Sequence, residues 1–389
     1  MKGTNISDIF EDEKDFLFYH APGRINIIGE HTDYNKGVVL PATIDRCIRV
    51  GMKKNNAGVL RAYSTEYPGL IVQEYPLVPI KREDGWVKYL KAILFILQQE
   101  LDFTDYPGLD VYVTSDIPVG AGLSSSAALE VAFLFALNEI FSLKINPRNM
   151  AELAQKAEND FIGVKCGIMD QFVSIMGKKN HALFLNVQNM DYQYIYLPLS
   201  NYTFILIDTT VSRSLEKSDY NIRRSECLTG LEILKEFLNP QLKSLGEVEL
   251  KDLLQLRNKF PPTIFKRIIF IVEENLRVKR MVRALQNKSF NQVGQLLYSS
   301  HNGLKYFYEV SCPELDFIVD YLGASEGVLG ARMMGAGFGG CVLALIKKEK
   351  VNKIFSAIKG EYELVFNKLP RFLSVQITDG LLEKKISHI

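Results

Sequence analysis

The first part of the chain alternates short apolar runs with polar turns, a pattern that predicts strands. Residues 16–78 follow it, with β-rich runs at Ile44–Met52 and Leu70–Val78 and with glycine or proline at the breaks. A further strand-like run is Leu109–Val113. We therefore expect this part of the protein to be rich in strands.

Helical periodicity begins at Trp86–Leu101, where apolar positions recur at helical spacing over the length of a core helix. Two further helices are predicted over Leu129–Leu143 and Asn149–Phe161, the second with Pro147 near its start. Asn201–Thr209 is a short, apolar, β-branched run and is typical of a buried strand.

The second half begins with a polar, charged stretch at Ser212–Glu226. Helices and loops are then predicted to about Leu322, and a last, strand-rich part contains Arg332–Lys347. The pattern predicts an α+β fold. With no repeat or linker to mark a boundary, we divide the chain near residues 190–205, into halves 1–195 and 196–389.

Composition narrows the class of protein. The 389 residues are 47% hydrophobic and 23% charged, as in an ordinary globular protein, and the net charge of +1 gives no reason to expect nucleic acid or a membrane surface as partner. Five scattered cysteines and the polar, acidic segment Met1–Asp15 predict a cytoplasmic location without a signal peptide. No apolar run is long enough to cross a bilayer.

The most informative segment is Pro118–Ala128, PVGAGLSSSAA, between a predicted strand and a predicted helix. Small residues let the backbone close around an anion, and the first amides of the following helix favour phosphate. The serine hydroxyls can bind phosphate oxygens or a hard cation such as Mg²⁺. The segment is not a P-loop, because no lysine follows the glycines. The alternative is a Gly/Ser turn with a serine N-cap.

Two other segments carry polar groups in suggestive places. Gly23–Asn35 ends an apolar stretch with Glu30, His31 and Asp33, which can pair with the hydroxyls of a polyol; the alternative is a solvated turn. Further on, Glu158 precedes Asp170 by twelve residues. One of these carboxylates could hold Mg²⁺ while the other meets an attacking hydroxyl. The alternative is a surface glutamate and an N-capping aspartate.

A third segment, Gly330–Cys341, has four glycines among residues 335–340. Glycine there permits positive φ and a close approach of backbone to a ligand or a neighbouring loop. By itself the segment is equally typical of a tight turn before a strand.

Together these segments resemble the GHMP kinase superfamily and, within it, the galactokinase family. The resemblance rests on GRINIIGEHTDYN, PVGAGLSSSAALEVA, CGIMDQF, SDYNIRRSEC, SHNGLKYFYEVSCPELD and GAGFGGC, and it extends from about Phe18 to the C-terminal region. EHTDYN discriminates best, since mevalonate and homoserine kinases do not resemble the chain there. The resemblance implies a two-domain fold with the active site in the cleft between the domains, and ATP-dependent phosphorylation of galactose at its anomeric hydroxyl.

The resemblance also implies roles for particular residues. Asp170 matches the catalytic aspartate and Arg24 the arginine beside the reacting hydroxyl, where its charge offsets that of the transferred group. The implied galactose-binding positions are Glu30, His31, Thr32, Asp33, the Gly167 backbone and Tyr220. The implied ATP-binding positions are Gly120, Ala121, Gly122, Leu123, Ser124, Ser125, Ser126 and, in a helix near the adenine, Trp86. Ser126 and Glu158 match the Mg²⁺ ligands. No obligate protein partner is implied.

The chain departs from the family pattern at three positions. Met334 and Ala336 stand where the family commonly has threonine and glycine, and Arg213 stands where it usually has histidine. An alanine is tolerated where φ stays negative, whereas Met334 cannot supply a hydroxyl. Two other functions remain open: a kinase for N-acetylgalactosamine or another hexose, and a non-catalytic galactose and ATP sensor. The intact serines and Asp170 argue against the sensor.

Overall fold

The computed structural model describes residues 6–10, 15–74, 84–104, 106–118, 120–211 and 216–383. In these ranges the strands are β1 Leu17–Asn26, β2 Val38–Val39, β3 Pro41–Lys54, β4 Val59–Ser64, β5 Ile71–Glu74, β6 Leu109–Ser115, β7 His181–Asn186, β8 Asp191–Tyr196, β9 Tyr202–Asp208, β10 Val328–Met333, β11 Cys341–Lys347 and β12 Arg371–Ser374. The α-helices are α1 Val87–Leu101, α2 Ser125–Phe141, α3 Pro147–Lys156, α4 Met169–Met176, α5 Glu216–Phe237, α6 Leu250–Gln255, α7 Pro262–Gln286, α8 Phe290–Gly303, α9 Pro313–Gly323 and α10 Val351–Phe366.

The first sheet has the order β1-β3-β6-β4-β5, with a parallel pairing between β4 and β6 and antiparallel pairings elsewhere. It confirms the predicted strands at Ile44–Met52 and Leu109–Val113. The strand predicted over Leu70–Val78 is confirmed at Ile71–Glu74, and residues 75–78 lie outside the described part of the chain. Helix α2 packs on β1 and β3, which places the glycine- and serine-rich segment that precedes it beside β1. This segment, residues 118–128, is the phosphate-loop segment.

The second sheet has the order β10-β11-β9-β12 and is antiparallel throughout. Strands β9 and β11 at its centre are buried on both faces, because alternate residues enter two different hydrophobic cores. On β9, Phe204 and Leu206 join the first core, and Ile205 and Ile207 join the second. The buried strand predicted at Asn201–Thr209 is therefore confirmed.

The predicted helices are confirmed with shifted ends. Helix α1 begins at Val87, and α2 begins at Ser125, four residues before the predicted Leu129. The third predicted helix is α only over Pro147–Lys156 and continues as a π-helical turn at Ala157–Ile162. A single wider turn of this kind is common at functional sites, and this one carries Glu158.

The sequence predicts that the last part of the chain is rich in strands, and this prediction did not include helix α10. Ile354, Ile358 and Tyr362 recur every fourth residue and are buried in the second core, so the period is helical. The glycine-rich turn, residues 335–340, leads into β11, as the sequence predicts.

The first core spans the division proposed near residue 195. It holds the side chains around the first sheet and also residues from α7, α8 and β11. The second core lies between the other face of the second sheet and helices α5, α7, α9 and α10. No helix in the described ranges is long and apolar enough to span a membrane.

Candidate active site

A cavity of about 370 Å³ lies where the phosphate-loop segment, the π-helical turn and the glycine-rich turn meet. It is lined by most of the residues singled out from the sequence: Arg24, Glu30, His31, Asp33, Gly120, Gly122, Leu123, Ser124, Ser125, Ser126, Glu158, Gly167, Asp170 and Tyr220. These come from segments far apart in the chain, so the fold brings the separate motifs to one place.

Asp170 lies at the centre of the cavity, in the first turn of α4. Arg24 holds its carboxylate through two bonds, from Nε to Oδ1 at 2.7 Å and from Nη2 to Oδ2 at 2.8 Å. The Ser124 hydroxyl also donates to Oδ2. The alternative of an N-capping aspartate is wrong, because Ile168 holds the N-cap position of α4. Both carboxylate oxygens therefore have fixed positions facing the cavity.

Arg24 is fixed on the side of the phosphate loop. The register of β1 and β3 shifts between Pro22 and Arg24, and irregularities of this kind re-aim side chains beside active sites. Arg24 Nη1 donates to the Gly122 carbonyl at 2.7 Å, and its backbone N–H donates to the Leu123 carbonyl at 3.2 Å. Burial would lower the pKa of Arg24, but the charges of Asp170, Glu30 and Asp33 and the hydrogen bonds to Asp170 together outweigh it and raise that pKa.

The phosphate-loop segment has the backbone needed to surround an anion. Gly120, Gly122 and Ser124 have φ of 77°, 75° and 62°, all in the left-handed region. Ser124 stands at the N-cap position of α2 but makes no side-chain cap bond, since its hydroxyl donates to Asp170. A serine therefore does occupy the N-cap position, but it does not cap the helix through its side chain, and the first-turn amides of α2 face the loop without a side-chain cap.

Ser126 and Glu158, the implied metal ligands, are hydrogen-bonded to each other at the cavity wall. Glu158 is buried, so the alternative of a surface glutamate is wrong. Burial raises its pKa, and hydrogen bonds from Cys166 and Ser126 oppose the rise. A carboxylate and a hydroxyl supply the hard oxygen donors that Mg²⁺ prefers. In the described ranges no group of three or more His, Cys, Asp or Glu could hold a metal ion.

Glu30 lies at the opposite end of the cavity and is nearly fully buried. Its Oε1 accepts from the Arg332 guanidinium and, at 2.8 Å, from the Gly335 backbone N–H. Arg332 is itself completely buried, and its Nη1 donates to Ser300 Oγ at 3.2 Å. The carboxylate thus reaches the cavity as a charged group with a fixed orientation.

Asp33 and Gly167 are in contact. A Cβ built on Gly167 would overlap the Asp33 carboxylate, so this position admits no side chain. Asp33 Oδ1 accepts from the Tyr34 backbone N–H at 2.9 Å. Burial, and then the charge of Asp170, raise the pKa of Asp33 to about 7.

His31 and Tyr220 form an aromatic wall, with ring centroids 5.6 Å apart. His31 has φ of 62°, a strained value for a residue with a Cβ. Burial lowers the pKa of His31 to about 3, so its imidazole is neutral at physiological pH. Burial also raises the pKa of Tyr220 well above its usual range, which keeps the phenol protonated.

The glycine-rich turn closes the cavity with Gly335 and Ala336. Gly335 and Gly337 have φ of 88° and 93°, whereas Ala336 is not among the residues with positive φ. This confirms that the alanine is compatible with the turn. Met334 is fully buried, and its sulfur accepts only a weak bond from the Asn26 backbone N–H at 3.3 Å.

Three implied site residues lie away from the cavity lining. Thr32 is fully buried, and its hydroxyl donates to the Gly29 and Val38 carbonyls, which is a structural role. Ala121 is fully buried in the first core. Trp86 precedes α1 and packs against the same core. The departure at Arg213 lies outside the described residues.

Other residues at the site were missed from the sequence. Tyr89, Cys166, Met169 and Gln171 line the cavity. The Cys166 thiol and the Gln171 amide donate to Glu158 Oε2 at 3.0 and 3.2 Å. Their positions next to Gly167 and Asp170 offered a signal.

Fully buried Glu130 also lies near Glu158 and Gln171. Burial, and then the charge of Glu158, raise the pKa of Glu130 well above its usual range, which keeps the carboxyl neutral. Nothing in the sequence pattern marked Glu130 or Arg332.

Three family models match the chain. The galactokinase galactose-binding signature matches residues 7–54, the GHMP kinases N terminal domain matches residues 88–178, and the GHMP kinases C terminal domain matches residues 281–364. The first contains Arg24 and Glu30, the second the phosphate-loop segment and Asp170, and the third the glycine-rich turn. Each part of the cavity therefore falls within a matched region, Tyr220 excepted.

Curated relatives match over nearly the whole chain. Galactokinase from Thermosipho africanus is 39% identical over 94% of this chain and 99% of its own length. Galactokinase from Bacillus subtilis is 36% identical over 99% of this chain and 98% of its own. Among solved structures, Lactococcus lactis galactokinase complexed with galactose superposes with a TM-score of 0.92 at 33% identity, over 96% of both chains.

Proposed function

The chain belongs to the galactokinase family of the GHMP kinases, and from that premise we propose how its cavity transfers the γ-phosphoryl group of ATP to the anomeric hydroxyl of galactose. The products are galactose 1-phosphate and ADP. The observation that carries the proposal is the set of contacts around Asp170, which accepts a hydrogen bond from Ser124 of the anion-binding loop and interacts by charge with Asp33 near the other polar groups.

Phosphoryl transfer needs alignment and charge neutralisation more than covalent work by the protein. We assign ATP to the segment from Gly120 to Ser126, where left-handed glycines and the first amides of α2 surround an anion. The sugar then occupies the end of the cavity near Glu30. Asp170 faces the point where the two substrates meet.

Asp170 accepts the proton of the anomeric hydroxyl as the new O–P bond forms and the bond from the γ-phosphorus to the ADP oxygen breaks. Arg24 and Ser124 hold the carboxylate in place from the other side. The Arg24 guanidinium also offsets charge on the transferring group. Arg24 therefore contributes most at the transition state.

Four side chains recognise the sugar in this arrangement. Glu30 and ionised Asp33 accept hydrogen bonds from hydroxyls, while neutral His31 and Tyr220 complete the wall. A buried site built to pair with several hydroxyls strongly discriminates against sugars that lack one of them. The Gly167 backbone fits against Asp33 because it carries no side chain.

Ser126 and Glu158 are the residues that would hold Mg²⁺. When bound, the ion neutralises charge on the nucleotide phosphates. The protein's own part is to present two hard oxygen ligands in fixed positions, with Cys166 and Gln171 orienting the carboxylate.

We propose a division into domains 1–195 and 196–389, in which the N-terminal family model falls before the boundary and the C-terminal one after it. Most of the cavity lining comes from the first domain, and the second adds Tyr220, Gly335 and Ala336. Five cysteines scattered along the chain, with no C-x-x-C pair among them, support the proposal of a cytoplasmic location.

The test is ATP-dependent phosphorylation of a sugar panel, with Mg²⁺ present and then chelated. Galactose 1-phosphate should form rapidly and only with the metal, and N-acetylgalactosamine should react poorly. Asp170→Asn should fold normally and lose at least about a hundredfold in kcat. Retention of more than about a tenth of wild-type kcat would exclude Asp170 as the base.

A further inference from the structure

A chain of buried hydrogen bonds runs from the second core to the sugar end of the cavity. Cys227 Sγ lies 3.2 Å from the Tyr308 hydroxyl, which lies 2.6 Å from the Tyr34 hydroxyl. The Tyr34 hydroxyl lies 2.8 Å from His31 Nδ1. Cys227, Tyr308 and His31 are all buried, so water does not compete for these bonds.

Each hydroxyl has one proton, so the bonds of this chain must all run in one direction. Either Cys227 donates first and Tyr34 donates last, to His31 Nδ1, or His31 Nδ1–H donates and sulfur is the final acceptor. The first direction places a phenol donor against an imidazole nitrogen, which is a good acceptor, whereas the second ends on sulfur, which accepts weakly.

The surroundings of Cys227 favour the first direction. The Asn35 side-chain amide donates to the sulfur, and its Nδ2 also donates to the His31 carbonyl at 2.8 Å. With its acceptor role filled in this way, the thiol is left to donate to Tyr308. Burial raises the pKa of Cys227 to about 11, so the thiol retains the proton that it donates.

The surroundings of the second ring nitrogen, Nε2, also favour the first direction. The ring is neutral, and the Ala336 backbone carbonyl lies on that side as an acceptor, which favours a protonated nitrogen there. His31 Nε2 is buried and makes no hydrogen bond of ordinary geometry to the described residues, although His31 lines the cavity. Nε2–H is therefore open to a hydrogen bond with a ligand in the cavity.

We propose that Cys227, Tyr308 and Tyr34 form a hydrogen-bond relay that fixes His31 as the Nε2–H tautomer. The imidazole then meets the sugar as a donor to a hydroxyl oxygen, whereas Glu30 and ionised Asp33 can only accept. Tyr34 and Tyr308 are positioning residues that act through His31. The role toward sugar rests on the proposed function, but the tautomer itself does not.

The direct test is a long-range ¹H–¹⁵N spectrum of the wild-type protein, labelled with ¹⁵N in its five histidines. His31→Gln identifies the His31 signals. The relay predicts a pyridine-like Nδ1 and a pyrrole-like Nε2 without any sugar present. A pyrrole-like Nδ1 would overturn it, whether or not the protein phosphorylates galactose.

Tyr34→Phe tests the consequence for binding. Loss of the donor to Nδ1 should raise the KM for galactose about tenfold, the size of one hydrogen bond, and change kcat less than about threefold. The His31 nitrogen shifts should move toward a mixture of tautomers. Tyr308→Phe should have a smaller effect, because Tyr34 can still donate to His31.

Tyr362→Phe is the matched control. It also removes a buried phenol, one whose hydroxyl donates to the Thr209 carbonyl at 2.8 Å in the second core. It should lower the unfolding free energy without changing the KM for galactose or the His31 shifts. Equal KM values for Tyr34→Phe and Tyr362→Phe would overturn the relay. Absence of galactose phosphorylation by the wild type would instead refute the proposed function.

Discussion

Arg332 and Glu30 form an ion pair inside the protein, 302 residues apart in sequence and almost completely removed from water. Their interaction joins β10, in the second sheet, to the turn that follows β1, in the first. A buried charge of this kind needs its partner, because the cost of desolvation is otherwise uncompensated. The pair therefore ties the position of a carboxylate proposed to bind sugar to the packing of the C-terminal half.

Arg332→Met should lower the free energy of unfolding by about 3–5 kcal/mol, since it leaves Glu30 buried and unpaired. Urea denaturation measures the change. Arg49→Met is the matched control, because Arg49 and Asp116 form an exposed pair 3.1 Å apart. Its cost should be about 1 kcal/mol or less. Equal losses in the two variants would show that Arg332 contributes no more than a surface charge.

Gly167→Ala should weaken galactose binding, because the new methyl group must displace the Asp33 carboxylate. We expect the KM for galactose to rise more than about tenfold, the loss of one or more hydrogen bonds. Gly360→Ala is the control, since a Cβ there meets no atom within 4 Å. It should leave the KM unchanged and raise stability by up to about 1 kcal/mol. An unchanged KM in Gly167→Ala would remove Asp33 from the sugar site.

Asp33→Asn should stabilise the protein at high pH while weakening sugar binding. Burial raises the pKa of Asp33 from its usual 3.8 to about 7 in the folded state, so the folded state binds this proton more tightly. Below pH 3.8 the Asp33 carboxyl therefore does not lower the free energy of unfolding. As pH rises to 7 it lowers this free energy by an increasing amount. The gain from Asp33→Asn should reach at most about 4 kcal/mol above pH 7.

Thermal unfolding of wild type and Asp33→Asn across this pH range measures the effect. The two melting curves should converge near pH 4 and separate as pH rises. A separation that narrows with rising pH would contradict the sign of the shift. The expected trade of stability for binding is common among buried polar groups at functional sites.

The residues proposed to touch the substrates could be predicted because they stand in local motifs. Glu30, His31 and Asp33 are close in sequence, and the serines of the phosphate loop are contiguous. Arg332 could not be predicted, because a buried arginine is recognised only through partners that the fold brings to it. The same holds for Tyr34, Tyr308 and Cys227, whose hydrogen bonds link three separate segments.

Element types were predictable where the period was long and clear, as in Trp86–Leu101. Helix α10 was not predicted, although Ile354, Ile358 and Tyr362 have a helical period. The prediction for this region rested on the strand pattern of the preceding β11. The resemblance implied binding roles for Thr32 and Ala121, but neither residue lines the cavity. Adjacency to a binding residue in sequence does not place a side chain in the cavity.

Arg24→Met tests the charge beside Asp170. Because this charge matters most when negative charge develops on the transferring group, kcat should fall more than KM rises. Steady-state kinetics with saturating ATP and varied galactose separates the two constants. A variant with raised KM and unchanged kcat would place Arg24 in ground-state binding only.

Glu158→Gln tests the assigned metal ligand. The amide keeps the size of the side chain but removes its charge, so the Mg²⁺ concentration for half-maximal activity should rise about tenfold or more. The KM for galactose should change little, since the sugar lies at the other end of the cavity. Glu152→Gln is the control on the preceding helix, where Glu152 pairs with Arg148 at the surface. Both variants should unfold at similar urea concentrations, and an unshifted Mg²⁺ dependence in Glu158→Gln would exclude Glu158 as a ligand.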